Sequence, residues 1–295
     1  MPKHTNLEKP TSLLPCWTFP SKITTGKSGH ETLWDFFTQL SAYRDETVCL
    51  DFSGVSFIEG NMSALLLVLA HRLRCEYGLR FLCEAGEGEG AQTLLERNGL
   101  YALLSESPVP VHTDVRQTTV QARLFEVEDD ASFFQYVESD LLGHRCMDRL
   151  DGKLKEWLSA FFFMETFANI KIHANATLPF AVCGQYFPKK GKMYFSVCDI
   201  GNGFLDKIRR FTQAQGNPVT EPEAAIKWAL TGGSTQRIRG GSALSGIFQQ
   251  CCKHGHDLYI TTDGVIWQYK NGKVQCRQLN AVTEGASLHI VFRNV

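Results

Sequence analysis

Asp199 closes an apolar run, Phe195-Ser196-Val197-Cys198, and is followed at once by Ile200-Gly201-Asn202-Gly203. A carboxylate held at the end of a buried strand can accept a hydrogen bond from an exocyclic amine, the group that separates adenine from guanine. Gly201 and Gly203, directly behind it, let the backbone pass close to a flat base. The same string also occurs in ordinary tight turns. Upstream, Glu165 and Asn169 are four residues apart and share one face wherever that segment is helical. A glutamate so placed takes a proton from water attacking a phosphate, and an amide oxygen is a hard ligand suited to magnesium. Taken alone, the pair reads as exposed polar side chains on an amphipathic helix.

The elements that must position these residues follow from periodicity. Phe161 to Ala174 reads as a helix with Phe161, Met164, Phe167 and Ala168 as its buried stripe. Ala181 to Tyr186 and Lys192 to Cys198 form a hairpin about Pro188-Lys189-Lys190-Gly191, a solvated tip, and deliver Asp199 at its end. Gly232 to Gly241 has the polar composition of a mobile loop, in which Arg237 and Arg239 are candidates to reach a terminal phosphate. A helix from Leu244 to His254 follows, then strands Leu258 to Thr262, Val265 to Lys270, Val274 to Leu279 and Ser287 to Phe292. His173, four residues after Asn169, reads as a packed or solvated helix residue, and His254 and His256 suit the end of a helix.

Four strings in this order resemble the motifs of the GHKL ATPase superfamily, named for gyrase, a heat-shock chaperone, histidine kinases and a mismatch-repair protein. Glu165 to Asn169 resembles its N box, and Asp199-Ile200-Gly201-Asn202-Gly203 its adenine-binding G1 box. Ala229 to Thr235, followed by Gly240-Gly241-Ser242-Ala243-Leu244-Ser245-Gly246, is similar to the ATP lid and G2 box. Glu284-Gly285-Ala286-Ser287 resembles the closing Gly-Thr strand. The resemblance covers about the last half of the chain. It implies an ATP and Mg2+ site with Glu165 as general base, Asn169 as metal ligand, and Asp199, Gly201 and Gly203 at the adenine. Ser234, Thr235, Gly240, Gly241, Ser242, Ala243 and Leu244 would hold phosphates through loop amides and a helix start. Ala286 would lie beside the base. Two departures bear on affinity: Ala243 and Ser245 interrupt the family's Gly-Leu-Gly-Leu core, and Ala286 removes the hydroxyl of the usual threonine, so weaker binding is the expected direction.

The first third alternates strand and helix: a strand near Leu13 to Phe19, a helix from Glu31 to Ala42, the strand Thr47 to Phe52, a turn through Ser53 to Gly60, and a long apolar helix toward Arg74 with Asn61 as its cap. Leu79 to Glu84 and Ala91 to Asn98 complete the pattern. Through Leu50-Asp51-Phe52-Ser53-Gly54-Val55-Ser56-Phe57-Ile58 and that helix, this segment resembles the STAS domain of anti-sigma-factor antagonists and sulfate transporters. In switchable members a phosphoacceptor serine starts the helix. Here Glu59-Gly60-Asn61-Met62 offers no hydroxyl in that place, and the nearby Ser63 is the one remaining candidate. A docking platform is the implied role.

The expected fold is α/β: a small STAS-like domain over residues 13–104, a linker and leading strand over 105–130, and a GHKL-type two-layer sandwich with a mixed, largely antiparallel sheet over 131–295. The two prolines of Ser105-Glu106-Ser107-Pro108-Val109-Pro110 mark the boundary, and Ala131 to Leu142 is a helix before the N box. With 30 basic and 31 acidic residues the net charge is −1, so no overall field draws the chain to nucleic acid or an anionic bilayer. Of the ten cysteines only Cys251 and Cys252 are adjacent, on a predicted helix where their side chains diverge, and no Cys-x-x-Cys pair occurs, which speaks for reduced thiols and a cytoplasmic location and against zinc. No apolar run at the N-terminus reads as a signal peptide or membrane span.

Three functions stay open on these residues. One is a regulator that couples Mg-ATP binding and slow hydrolysis to contact with a protein partner, whether another STAS-like or regulatory protein or a second copy of the chain. The others are a serine/threonine protein kinase of the anti-sigma type and a catalytically silent ATP-binding module. A histidine kinase ranks below these, because His144 sits beside Gly143 and outside any long periodic helix.

Overall fold

The computed structural model describes residues 14–84, 91–105, 113–171, 178–235 and 243–295, without the side chains of residues 91, 161–165 and 243. In the first third, β1 (Cys16–Thr18), β2 (Lys22–Ile23), α1 (Lys27–Leu40), β3 (Thr47–Asp51), β4 (Phe57–Ile58), α2 (Ser63–Tyr77) and β5 (Arg80–Glu84) follow one another. Strands β1, β3 and β5 form a parallel sheet in the order β1-β3-β5, and β2 pairs with β4. Two short helices, α3 (Ala91–Arg97) and α4 (Leu100–Leu104), lead out of this unit.

The remainder is built on one sheet. Its strands are β6 (Thr119–Phe125), β7 (Phe180–Phe187), β8 (Lys192–Asp199), β9 (Asp257–Thr262), β10 (Val265–Lys270), β11 (Lys273–Gln278) and β12 (Ala286–Arg293). They lie in the order β11-β10-β9-β12-β8-β7-β6, and every pairing is antiparallel, where a mixed sheet was expected. The turns joining β9 to β10 and β10 to β11 are Asp263-Gly264 and Asn271-Gly272, with φ of 50° and 76° and of 52° and 74°. Positive φ at both central residues is the turn geometry whose twist matches paired strands, which is why Asp-Gly and Asn-Gly occupy it.

Helices α5 (Asp130–Tyr136), α6 (Gly152–Trp157), α7 (Phe163–Asn169), α8 (Leu205–Ala214), α9 (Pro222–Leu230) and α10 (Ala243–His254) complete the fold. Asp129 and Asp151 cap α5 and α6 by accepting from Ser132 N and Leu154 N. Phe133 and Tyr136 of α5, Phe167 of α7, Ile226 of α9 and Ile247 of α10 pack on Phe180, Val182, Phe195 and Val197 of the sheet. Of the stripe expected for the N-box helix, Phe167 is buried and Ala168 half-buried, while Phe161 and Met164 have side chains outside the described set. No helix among the described residues is long and apolar enough to cross a membrane.

The alternate residues of the same strands, Ala122, Ala181, Cys183 and Cys198, face the other way and join the core of the first third. These are small side chains, and they let α2 come close to β6, β7 and β8. The first half of α2 is consequently buried all round, with Leu65, Leu66, Leu67, Val68 and Leu69 each at 0% exposure. Over β6, β7 and β8 the sheet is thus covered on both faces, by the helices that follow β6 on one and by the first third on the other. Ser63 is fully buried under Asn98, whose amide donates to its hydroxyl, so it offers no accessible phosphoacceptor.

A directional chain of hydrogen bonds crosses this junction. His30 Nδ1 lies 2.8 Å from Gly26 O, which can only accept, so that nitrogen carries a proton. With both rings neutral, His30 Nε2 accepts from His289 Nε2 at 2.9 Å, and His289 Nδ1 accepts from Ser196 Oγ. Ser196 in turn accepts from Asn61 Nδ2 at 2.9 Å, and the same amide donates to Thr25 Oγ1 at 2.8 Å. Asn61 is therefore no cap for α2: it lies in a 3-10 turn over Gly60–Met62 and spends its side chain on the junction. Burial pulls His30 down to about 4 and His289 well below its ordinary value.

Candidate functional site

Asp199 ends β8 opposite Ala286, the first residue of β12, which on its other side pairs with Thr262 of β9. Three strand ends thus meet at one point. Gly285, with φ of 68°, makes the approach feasible, since a Cβ there would lie 2.1 Å from Asp199 O and 2.7 Å from Gly201 N. Gly203 is required for a different contact from the one its motif suggested. A Cβ at Gly203 would fall 2.3 Å from Asp263 Oδ1 and 2.8 Å from Thr262 Oγ1, so it clears the loop's own neighbours. Asp263 Oδ2 accepts from Phe204 N at 2.8 Å and Leu205 N at 3.0 Å, and so anchors the start of α8 beneath the cleft.

The cleft over these strand ends is half-open to solvent and lined mainly by apolar side chains. It gathers Asn169 from α7, Asp199 and Gly203 after β8, Ser234 and Thr235 after α9, Leu244 from α10 and Ala286 from β12. Gly201 sits behind the carboxylate and contributes its amide to it. Gly240, Gly241 and Ser242, with Arg237, Arg239 and His173, lie outside the described residues. Glu165 stands on α7 one turn before Asn169, and Ala243 opens α10, but neither side chain is described.

Several lining residues had not been anticipated. Thr166 of α7, Asn202 and Phe204 of the loop, Lys207 and Ile208 of α8 and Trp228 of α9 complete the walls. Helices α8 and α9 had no predicted counterpart. Trp228 packs under Gly233, where a Cβ would meet the indole ring at 2.3 Å. The aromatic four residues before the Gly232-Gly233 pair was the available signal.

Asp199 is the electrostatic centre of the cleft. Burial pushes its carboxyl up to about 7, against the pull of the Ala286 and Gly201 amides. Its Oδ1 is buried without a hydrogen-bond partner. An acceptor in that condition is costly unless a donor arrives from a ligand. Ile170, Val197, Ile208, Leu244 and Ile260 make the surrounding walls apolar. Lys207 lines the cleft as well, its ammonium pulled down by burial. Among the described residues no three His, Cys, Asp or Glu side chains cluster to hold a metal unaided. Asn169 brings one hard oxygen donor to the cleft, which suits a magnesium ion that takes its other ligands from phosphate and water.

Compared with protein-family models and with curated proteins, the chain matches none.

Proposed function

We propose that the chain is a GHKL-type, Mg-ATP-binding regulatory protein in which nucleotide binding, followed by slow hydrolysis, alters contact with a protein partner. The observation that carries this reading is the unpartnered Oδ1 of Asp199 on the floor of a cleft that gathers α7, the end of β8, the segment after α9, α10 and β12. The carboxylate would accept the exocyclic amine of adenine, and the apolar walls would hold the ring. Ser234, Thr235 and the start of α10 would face the phosphates. Asn169 would share a magnesium ion with phosphate oxygens, and bound metal would supply charge neutralisation there. Glu165, one turn away on the same helix, would take the proton of the attacking water.

Titration calorimetry with ATP and magnesium tests the reading. The parent chain is expected to bind and Asp199→Asn to lose binding while staying folded, because the amide sets a donor against the ligand's donor. Equal affinity in the two proteins removes the assignment.

A further inference from the structure

Threonines within helices commonly turn the hydroxyl back onto the carbonyl four residues earlier. Among the described residues Thr212 of α8 does so, its Oγ1 donating to Ile208 O at 2.8 Å, and Thr231, just past the end of α9, donates likewise to Lys227 O at 3.0 Å. Thr166 on α7 does not. Its side chain is 7% exposed, its Oγ1 is buried without a partner, and the residue lines the cleft. Asp199, 8% exposed, presents the other unpartnered buried oxygen of the cleft lining. One group comes from the helix wall and the other from the strand floor. Ala286, the register partner of Asp199, adds no hydroxyl between them.

The two groups differ in what they can exchange. An ionised carboxylate only accepts, while a hydroxyl also donates. A ligand satisfying both offers a donor to Asp199 and, on the same rigid ring, an acceptor to Thr166. An aminopurine does this with its exocyclic amine and a ring nitrogen, whereas an oxopurine turns a carbonyl acceptor toward the carboxylate. We infer that Thr166 is a specificity-determining residue whose hydroxyl donates to a ring nitrogen of the aminopurine that Asp199 holds by its amine. This rests on the adenine-nucleotide reading above and names the second polar contact through which the base is read.

The test uses the full chain and calorimetric titration with magnesium and ATP, and with the 1-deaza, 3-deaza and 7-deaza analogues of ATP, each lacking one ring nitrogen. Thr166→Val keeps the shape and removes the hydroxyl. ATP affinity is expected to fall roughly tenfold, the scale of one hydrogen bond, and Thr166→Ser to recover most of it. One analogue should bind the parent about tenfold more weakly than ATP, with no further loss in Thr166→Val, since the bond it reports is already gone. The ligand-free valine variant is expected to melt at or above the parent temperature, because a buried unsatisfied hydroxyl has been removed. Thr166→Ala carries the same affinity expectation should valine prevent folding. ATP binding by Thr166→Val equal to the parent's, or an equal loss for all three analogues, overturns the inference and leaves the functional proposal standing. Failure of the parent to bind ATP at all removes both.

Discussion

Ser196 and Asp199 stand three residues apart on β8 and so lie on opposite faces of the seven-stranded sheet. Asp199 floors the cleft, while Ser196 is fully buried between Asn61 and His289. Their partners on β12, Ala286 and His289, divide in the same way. Two adjacent strands therefore carry the cleft-facing carboxyl on one side and the junction's hydrogen-bond chain on the other.

The junction chain is expected to matter for stability. Asn61→Ala removes the donor shared by Thr25 and Ser196 and leaves polar atoms buried without partners, which costs about 1–3 kcal/mol. Urea unfolding of parent and variant measures it. A difference below about 0.5 kcal/mol would show that the chain is incidental to folding.

The buried histidines predict a particular acid response. His30 and His289 both have folded pKa values depressed below the ordinary 6.5. Their contribution to stability is whole above that pH and is lost as pH falls toward about 4, because the unfolded chain then binds protons that the folded one refuses. His30→Gln keeps a donor and an acceptor near Gly26 and His289 without a titrating ring. Its stability is expected to fall less steeply than the parent's between pH 6.5 and 4, by unfolding at stepped pH. Parallel curves count against neutral burial of His30.

Asp199 predicts the opposite sign. Its folded pKa of about 7 lies above the ordinary 3.8, so the ligand-free protein loses stability as pH rises through this window, at most about 1.4 kcal/mol per pH unit. Asp199→Asn removes that loss, and the variant should gain on the parent from pH 4 to 7 in thermal melts. A ligand amine favours the ionised carboxyl, so ATP binding should release a proton near pH 7 and strengthen toward pH 8. Binding heats that do not vary with the buffer's ionisation enthalpy would contradict the coupling.

Gly285→Ala is expected to be severe, at about 3 kcal/mol or more, because the added carbon meets backbone atoms and φ is 68°. Gly203→Ala meets the Asp263 side chain, which can shift, so its cost should be smaller. Denaturation midpoints of the two variants check the order, and the reverse order would contradict the packing at the strand ends.

On α7, Glu165→Ala is expected to keep ATP binding and slow turnover by roughly a hundredfold, the scale of losing a positioned general base. Asn169→Ala should instead weaken magnesium-dependent binding. Turnover by both variants at the parent rate would return the pair to an ordinary helix surface.

Legibility from sequence tracked how local each signal was. Six of the seven strands of the large sheet were read to within about two residues, because alternation is a short-range signal, whereas the leading strand was placed only within 105–130 and β6 runs Thr119–Phe125. Helix α8 was missed because it runs ten residues and buries only Ile208 and Thr212, too thin a stripe to register. Asn61 was read as a cap from its place before α2, but its partner Ser196 lies 135 residues away and overrides local preference. The cleft residues Asn169, Asp199 and Ala286 were found through motif order. Thr166 lies within the Glu165 to Asn169 string but no role was read for it there, and its unsatisfied hydroxyl becomes visible only once the fold buries it.

The N-terminal half of α2, from Ser63 to Ala70, has no solvent face, being packed with α1 and α4 on one side and with β6, β7 and β8 on the other. A chain severed between α4 and β6 would expose matching apolar surfaces on both pieces. The two halves should then behave as complementing fragments, each poorly soluble alone and reassembling when mixed. A split version of the protein would report the integrity of the cleft by reassembly, since the strands that bury α2 are the strands that present Asp199.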